Sequence, residues 1–287
     1  MGERPDRDAA APLDVGRRLA LLYSPPSERP VLEALLAVES EIGASLQSGL
    51  DHNVAHLRLQ WWRDECERVG QGSPAHPLTR TLVREFSGAP PGGLEGLSGL
   101  VDVAVWDLAA ATFETRRELS AYCERWAAAM VRSAVLHATP GANDTRAWLT
   151  IGGAIREVQL LADLDTDARA GRLRVPLDEL ERAGVQPDSL GERPHSPQLT
   201  RLLAERHAAL RSILAQSITS LASGTQPVLR GLLVWAATTW RRSQQLQRAL
   251  PSAPVPRRRE ALADAWHAWR TARHAMEGKL RLTIDSH

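Results

Sequence analysis

Apolar positions recur at spacings of three and four along almost the whole chain, in segments rich in Ala, Leu and Arg, and strand-like alternation of β-branched residues is absent. The period predicts helices at roughly 13–22, 29–47, 52–69, 77–87, 95–112, 116–137, 144–169, 177–183, 197–222, 226–248 and 257–279. Pro and Gly interrupt the pattern at Ser24 to Pro26, Gly72 to Pro74, Gly88 to Gly93, Thr139 to Gly141 and Pro251 to Pro256, where a helix cannot continue. Asn143 and Asp144 suit the cap of the long central helix, and Ser196-Pro197 suits the start of the next. No repeat or low-complexity tract divides the chain. The pattern predicts one all-α domain over residues 13–280, preceded by a flexible N-terminus at 1–12.

Composition narrows the class of protein. The 287 residues carry 35 basic and 34 acidic side chains, so no global field advertises nucleic acid. Two cysteines, Cys66 and Cys123, are too few for a disulfide framework and point to a reducing compartment. There is no apolar segment near the N-terminus of signal-peptide type, and nowhere a run of about 18 apolar residues. These features predict a soluble, cytoplasmic protein.

The chemistry concentrates at Asp163-Leu164-Asp165-Thr166-Asp167, which ends the central helical pattern and runs into Gly171 to Pro176. On a helix, Asp163 and Asp167 share one face with their Cβ atoms about 6 Å apart, a spacing that suits Mg²⁺. Gln159, Arg156 and Gly152 continue that face upstream, whereas Asp165 points roughly 160° away, toward solvent. The plain alternative is a frayed, acidic helix end. Nine Trp against two Phe and two Tyr form a skewed aromatic supply, open to two readings: packing between helices, or an aromatic wall around a hydrocarbon ligand. His52 and His56, and His267 and His274, lack a third ligand and read as surface or interhelical residues. Arg257 to Arg259 form a basic run at a helix start, where positive charge is mildly unfavourable and so suits a partner or anionic lipid.

Several segments occur in an order seen in one family: Arg18 to Arg29, Ala34 to Ala37, Leu57-Arg58-Leu59-Gln60-Trp61-Trp62-Arg63-Asp64, His76-Pro77, and the acidic helix with Gly171 to Pro176. On these residues the chain resembles the squalene/phytoene synthase family, most closely between about 13 and 185. The resemblance implies the all-α isoprenoid synthase fold, a single helical domain around a central cavity. It also implies two Asp-rich motifs holding Mg²⁺ against the diphosphate of an isoprenyl substrate, whose departure needs its growing negative charge neutralised. Asp163 and Asp167 match the second motif as metal ligands, and Arg58, Arg156, Gln159 and Arg172 fall in the substrate-binding region.

The first motif departs from the family. Its two Asp positions fall at Gly43 and Gln47, and Glu33, Glu39 and Glu41 offer no pair at a spacing of three or four. Upstream of the second motif, Arg156, Gln159 and Ala162 stand where Gln, Asn and Arg are expected. Arg156 is therefore a candidate to occupy the place of a metal ion. Two functions follow from the resemblance. One is a non-catalytic isoprenoid-binding or assembly module, similar to the branch containing the mitochondrial complex I assembly factor, with a protein partner or peripheral membrane contact. The other is an active Mg²⁺-dependent prenyl diphosphate transferase of squalene or phytoene type.

Overall fold

The computed structural model describes residues 13–47, 49–86, 92–141, 145–252 and 261–282. The Asn143-Asp144 cap, the N-terminus at 1–12 and the basic run from Arg257 lie outside the described residues, which form helices joined by turns and loops and contain no strand. In chain order the α-helices are α1 (Val15–Tyr23), α2 (Arg29–Gly43), α3 (His52–Gly70), α4 (Pro77–Glu85), α5 (Ser98–Leu108), α6 (Arg116–Ala127) and α7 (Ser133–Ala138). They continue with α8 (Arg146–Ala162), α9 (Leu164–Arg169), α10 (Leu177–Ala183), α11 (Pro197–Ser220), α12 (Arg230–Ala249) and α13 (Ala261–Met276).

Local chemistry sets several of these boundaries. The Asp14 carboxylate accepts the Arg17 backbone N–H at 3.0 Å to open α1, and Asp51 caps α3 through Asn53 and Val54. Ser196 accepts from Leu199 at the start of α11, with Pro197 in the first turn, as the sequence predicts. Three predicted helices are interrupted. The segment 29–47 leaves α geometry after Gly43 for a 3₁₀ turn at Ala44–Leu46. The helix expected at 116–137 contains a π-turn at Ala128–Arg132 between α6 and α7. The long helix expected at 144–169 breaks at Asp163, whose φ of −104° and ψ of 10° separate α8 from α9.

Helix α8 is the centre of the packing, with α6, α11 and α12 around it. It buries Trp148, Ile151, Ile155, Val158 and Leu160 into a hydrophobic core that extends from Ala20 to Leu280. Gly152 lies in this contact: a Cβ there would sit 2.6 Å from the Ala127 Cβ and 2.9 Å from Val131, so only glycine lets α8 approach α6 and the π-turn so closely. Trp62, Trp126, Trp148 and Trp235 are buried in the core, and Trp126 and Trp235 meet edge to face at 5.7 Å. Packing therefore accounts for most of the internal tryptophans.

The connection from α3 to α4 is organised by a buried carboxylate. Glu65 accepts the backbone N–H groups of Ala75 and His76 at 2.8 and 2.9 Å, the Thr79 hydroxyl, and the Arg68 guanidinium at 2.8 Å. Burial opposes its charge, but the donors from Thr79, His76, Arg68 and Ala75 outweigh burial and hold the carboxyl below its ordinary value of 4.5. A depressed folded-state pKa gives stability that is present above the ordinary value and lost as pH falls through the folded one. Glu65→Gln should lower the unfolding free energy by about 1–3 kcal/mol at neutral pH. Denaturant titrations across acidic pH should show a shallower loss of stability in that variant than in the parent.

Candidate functional site

A cavity of about 650 Å³ opens where α1, α2, α3, α5, α6 and α8 converge. Leu13, Ile42, Leu46, Leu100, Val103 and Ala104 give it apolar wall, and Trp126 is the one tryptophan of the nine that lines it among the described residues. Gly43 and Gln47 both border the cavity, as do Arg58 and Arg156. The two positions that correspond to the first Asp-rich motif thus face the cavity without a carboxylate.

Behind this wall runs an unbroken chain of polar contacts. Arg172 donates to Asp167 Oδ1 through Nε at 3.0 Å and Nη2 at 2.7 Å, and Arg174 Nε donates to Asp167 Oδ2 at 2.6 Å. Arg174 Nη1 reaches on to Asp107 Oδ1 at 2.6 Å. Asp107 also accepts the Tyr122 hydroxyl at 3.0 Å and lies 3.8 Å from Arg156 Nη2. Arg156 Nη2 donates to the Tyr122 oxygen at 2.8 Å, and its guanidinium lies over the rings of Tyr122 and Trp126 at 5.5 and 5.9 Å. On the far side, Trp126 Nε1 and Arg17 Nη2 both donate to Glu39 Oε1, at 2.8 and 2.9 Å.

The electrostatics follow from burial. The Tyr122 hydroxyl is pushed up to about 12 by burial and by Asp107, against the pull of Arg156 and Arg174, so it remains a neutral phenol. Burial works against the charge of Arg156, yet Tyr122, Asp107 and Glu39 more than offset it and the guanidinium is held above its ordinary value. Arg174 is raised in the same way, burial being outweighed by Asp107, Tyr122 and Asp167. Both arginines are permanent cations inside the fold.

The sequence-predicted residues divide between the cavity and the layer behind it. Arg58 and Arg156 are brought to the cavity, and Arg58 has no ion-pair partner among the described residues. Gln159 meets Arg156 Nη1 at 3.5 Å, and Arg172 serves Asp167 rather than the cavity wall. The expectation that Asp163 and Asp167 present one shared face needs correction: the break at Asp163 leaves that residue exposed, while Asp167 is buried between two arginines. Both oxygens of Asp167 are committed to guanidinium groups, and no cluster of three His, Cys, Asp or Glu suited to a metal ion occurs among the described residues. This donor set does not fit Mg²⁺. Asp165, expected to be solvated, pairs with Arg193 at 2.6 Å and lies 3.5 Å from His195, because the segment before α11 folds over α9.

Asp107, Tyr122 and Arg174 were outside the sequence expectations. A signal existed for two of them: Asp107 is, with Asp102, one of two charges in the apolar stretch Leu100 to Leu108, and Arg174 belongs to the segment that carries the resemblance. Cys66 and Cys123 are buried, and burial pushes the Cys66 thiol up to about 12. No described helix is long and apolar enough to cross a membrane.

A shell of helices closed around a cavity, with its polar residues gathered on α2, α5 and α8, is the isoprenoid synthase fold. Residues 14–266 match the squalene/phytoene synthase family, and the chain belongs to that family. It is similar to presqualene diphosphate synthases from Zymomonas mobilis, at 26% identity over 57% of each chain, and from Rhodopseudomonas palustris, at 32% identity over 44% of this chain and 46% of that one. A third, from Sinorhizobium fredii, is 28% identical over 58% of this chain and 60% of its own length. The chain thus matches between 46% and 60% of the length of these curated relatives. Among solved structures, a dehydrosqualene synthase in complex with ligand superposes with a TM-score of 0.73 at 16% identity, covering 91% of this chain and 90% of that one. A squalene synthase from Alicyclobacillus acidocaldarius superposes with a TM-score of 0.67 at 18% identity, covering 84% and 94%. These structural likenesses establish the fold. The names of the relatives are all those of synthases, and the expected likeness to the complex I assembly factor rests on the Arg58 to Asp64 segment alone.

Removing Asp107 takes from the buried Arg174 one of its two carboxylates and from the half-buried Arg156 its nearest one. Asp107→Ala is expected to lower the unfolding free energy by about 1–3 kcal/mol, the usual cost of a lost hydrogen bond to a charged group. Urea unfolding followed by circular dichroism measures it, with the exposed pair variant Asp178→Ala as the control expected to change stability by about 1 kcal/mol or less.

Proposed function

We propose that this chain is a non-catalytic member of the squalene/phytoene synthase family that holds an isoprenoid chain in its cavity without ionising a diphosphate. The observation that carries the reading is the set of arginine–carboxylate contacts that joins Asp167, Arg174, Asp107 and Arg156, with Arg17 and Glu39 paired on the other side of Trp126, beside a first-motif face that presents Gly43 and Gln47. Breaking an allylic diphosphate demands that the leaving charge be met by metal ions or by cations free to receive it. Here Arg172 and Arg174 are engaged with Asp167, Arg174 also with Asp107, and Arg17 with Glu39. The fixed guanidinium groups take the electrostatic place that divalent ions take beside an Asp-rich motif. An assembly role fits the same shell, because Arg58 borders the cavity and Trp61, one turn on along α3, is 41% exposed.

The second reading, an active Mg²⁺-dependent prenyl diphosphate transferase, is favoured by the names of the three presqualene diphosphate synthases. It requires Arg172 and Arg174 to release Asp167 when a metal-bound diphosphate enters.

Incubation with farnesyl or geranylgeranyl diphosphate and Mg²⁺ separates the two readings by phosphate-coupled assay. Diphosphate release is expected to stay at the level of the buffer; turnover that disappears in Asp167→Asn would establish the transferase. Calorimetric titration with Mg²⁺ alone is expected to show no saturable heat. Tight binding that is abolished in Asp163→Ala would overturn the replacement of metal by arginine.

A further inference from the structure

Helix α13 is packed on one side only. Ala268, Thr271, Ala272 and Ala275 are buried, and Ala268 and Ala272 form a small cluster with Val234 of α12 and with Leu19 and Tyr23 of α1. On the opposite side, by the 3.6-residue period, Leu262, Trp266, Trp269, Arg273 and Met276 fall within about 80° of the helix circumference. Leu262 is 88% exposed, Trp266 63%, Met276 62% and Trp269 41%. The two indoles stack with their ring centroids 4.8 Å apart, and the Arg273 guanidinium lies 5.7 Å from the Trp269 ring centre. Four large apolar side chains on one stripe are far from the scattered exposure of an ordinary surface.

We infer that this face of α13 docks on a membrane surface that carries anionic lipid. The charge on and after the helix selects that occupant. Arg270, Arg273, Lys279 and Arg281 stand against Asp264 and Glu277. Asp264 is engaged by Arg241 of α12 at 2.8 Å, and Glu277 lies between Arg273 and Lys279 at 3.7 and 3.5 Å. Arg270 and Arg281 have no acidic partner among the described residues. Indole rings and aliphatic side chains on one stripe, with arginine in and beside it, match the interfacial region of a bilayer, where the rings sit at headgroup level and cations meet phosphate. Helix α3 provides the contrast. It too exposes an apolar stripe, Val54, Leu57 and Trp61, but its Asp64, Glu65 and Glu67 cancel Arg58, Arg63 and Arg68, leaving no net attraction to an anionic surface. The docking face stands independently of what the cavity holds.

The full chain is floated on a density gradient with vesicles of phosphatidylcholine, and with vesicles of phosphatidylcholine and phosphatidylglycerol. Flotation is expected with the anionic vesicles and is expected to weaken as salt is added. Trp266→Ala with Trp269→Ala should reduce it on the order of tenfold, and Arg270→Glu with Arg273→Glu should abolish the preference for anionic lipid. All four positions are at the surface, so both double variants should keep the parent's circular dichroism and melting temperature; if the tryptophan pair fails to fold, the arginine pair carries the test. Absence of flotation with anionic vesicles, equal flotation with both vesicle types, or flotation indifferent to both double variants would overturn the inference. So would a sedimenting dimer that the tryptophan variant converts to monomer, since the stripe would then be a contact between two copies of the chain.

Discussion

A largely buried carboxylate must find donors for its charge, and at the cavity wall Asp107 finds Arg174 at 2.6 Å and Tyr122 at 3.0 Å, with Arg156 at 3.8 Å. Those three residues come from the segment after α9, from α6 and from α8, so the single side chain ties the central helix to the loop that follows it and to the helix that packs on it. Because Arg174 also grips Asp167, the position of α9 is fixed by the same contact. Remove the carboxylate, and Arg174 is left with Asp167 alone while Arg156 loses its nearest carboxylate. A second network of the same kind, in which Glu157 accepts from Arg116 and Arg206 while Arg116 also holds Glu179, joins α6, α8, α10 and α11 on the other side of α8. The interior is thus held by apolar packing and by two ion networks.

Close helix approach makes these networks geometrically possible. Gly152 lets α8 settle against Ala127 and Val131, and the π-turn at Ala128–Arg132 lies at that same crossing. Tyr122 and Trp126, one turn apart on α6, thereby reach Arg156 from the same side. Aromatic faces around a guanidinium add attraction without adding charge. Arg156 is consequently held over two rings while still exposed to the cavity, a placement that a Gln of similar reach could not use.

Much of this architecture was legible in the sequence, because it depends on local periodicity. Helix positions follow the spacing of Ala and Leu, and the start of α11 follows Ser196-Pro197. The sequence placed Gly43 and Gln47 at the first-motif positions without deciding whether they face the cavity, and it is the crossing of the helices that sets both on its wall. The breaks were not legible either. Asp163 continues the apolar period on both sides, and nothing in that period reveals that the chain turns there so that Asp167 swings toward Arg172 and Arg174. The relation of Asp107 to Arg174 spans 67 residues, and that of Arg17 to Glu39 crosses from one helix to another. Pairings of that kind are decided by how helices cross, which the periodicity of any single helix does not encode.

The same charges bear on what the cavity accommodates. Asp14, Glu39, Glu41 and Asp107 line it with Arg17, Arg58 and Arg156, and Arg174 stands directly behind Asp107. Four carboxylates are therefore balanced by four guanidinium groups, and most are already in contact. A diphosphate entering this space would find Arg58 without an ion-pair partner among the described residues, but it would compete with Glu39 for Arg17 and with Asp107 for Arg156, and gaining either of those two would leave a carboxylate unpaired beside its own negative charge. A neutral isoprenoid chain makes no such demand. It displaces water from Leu13, Ile42, Leu46, Leu100 and Val103, a gain of roughly 25 cal/mol for each Å² of apolar surface covered, and leaves every ion pair intact. Charge balance thus favours the hydrocarbon part of an isoprenoid as the recognised group, which is the property the proposed binding role requires of the cavity.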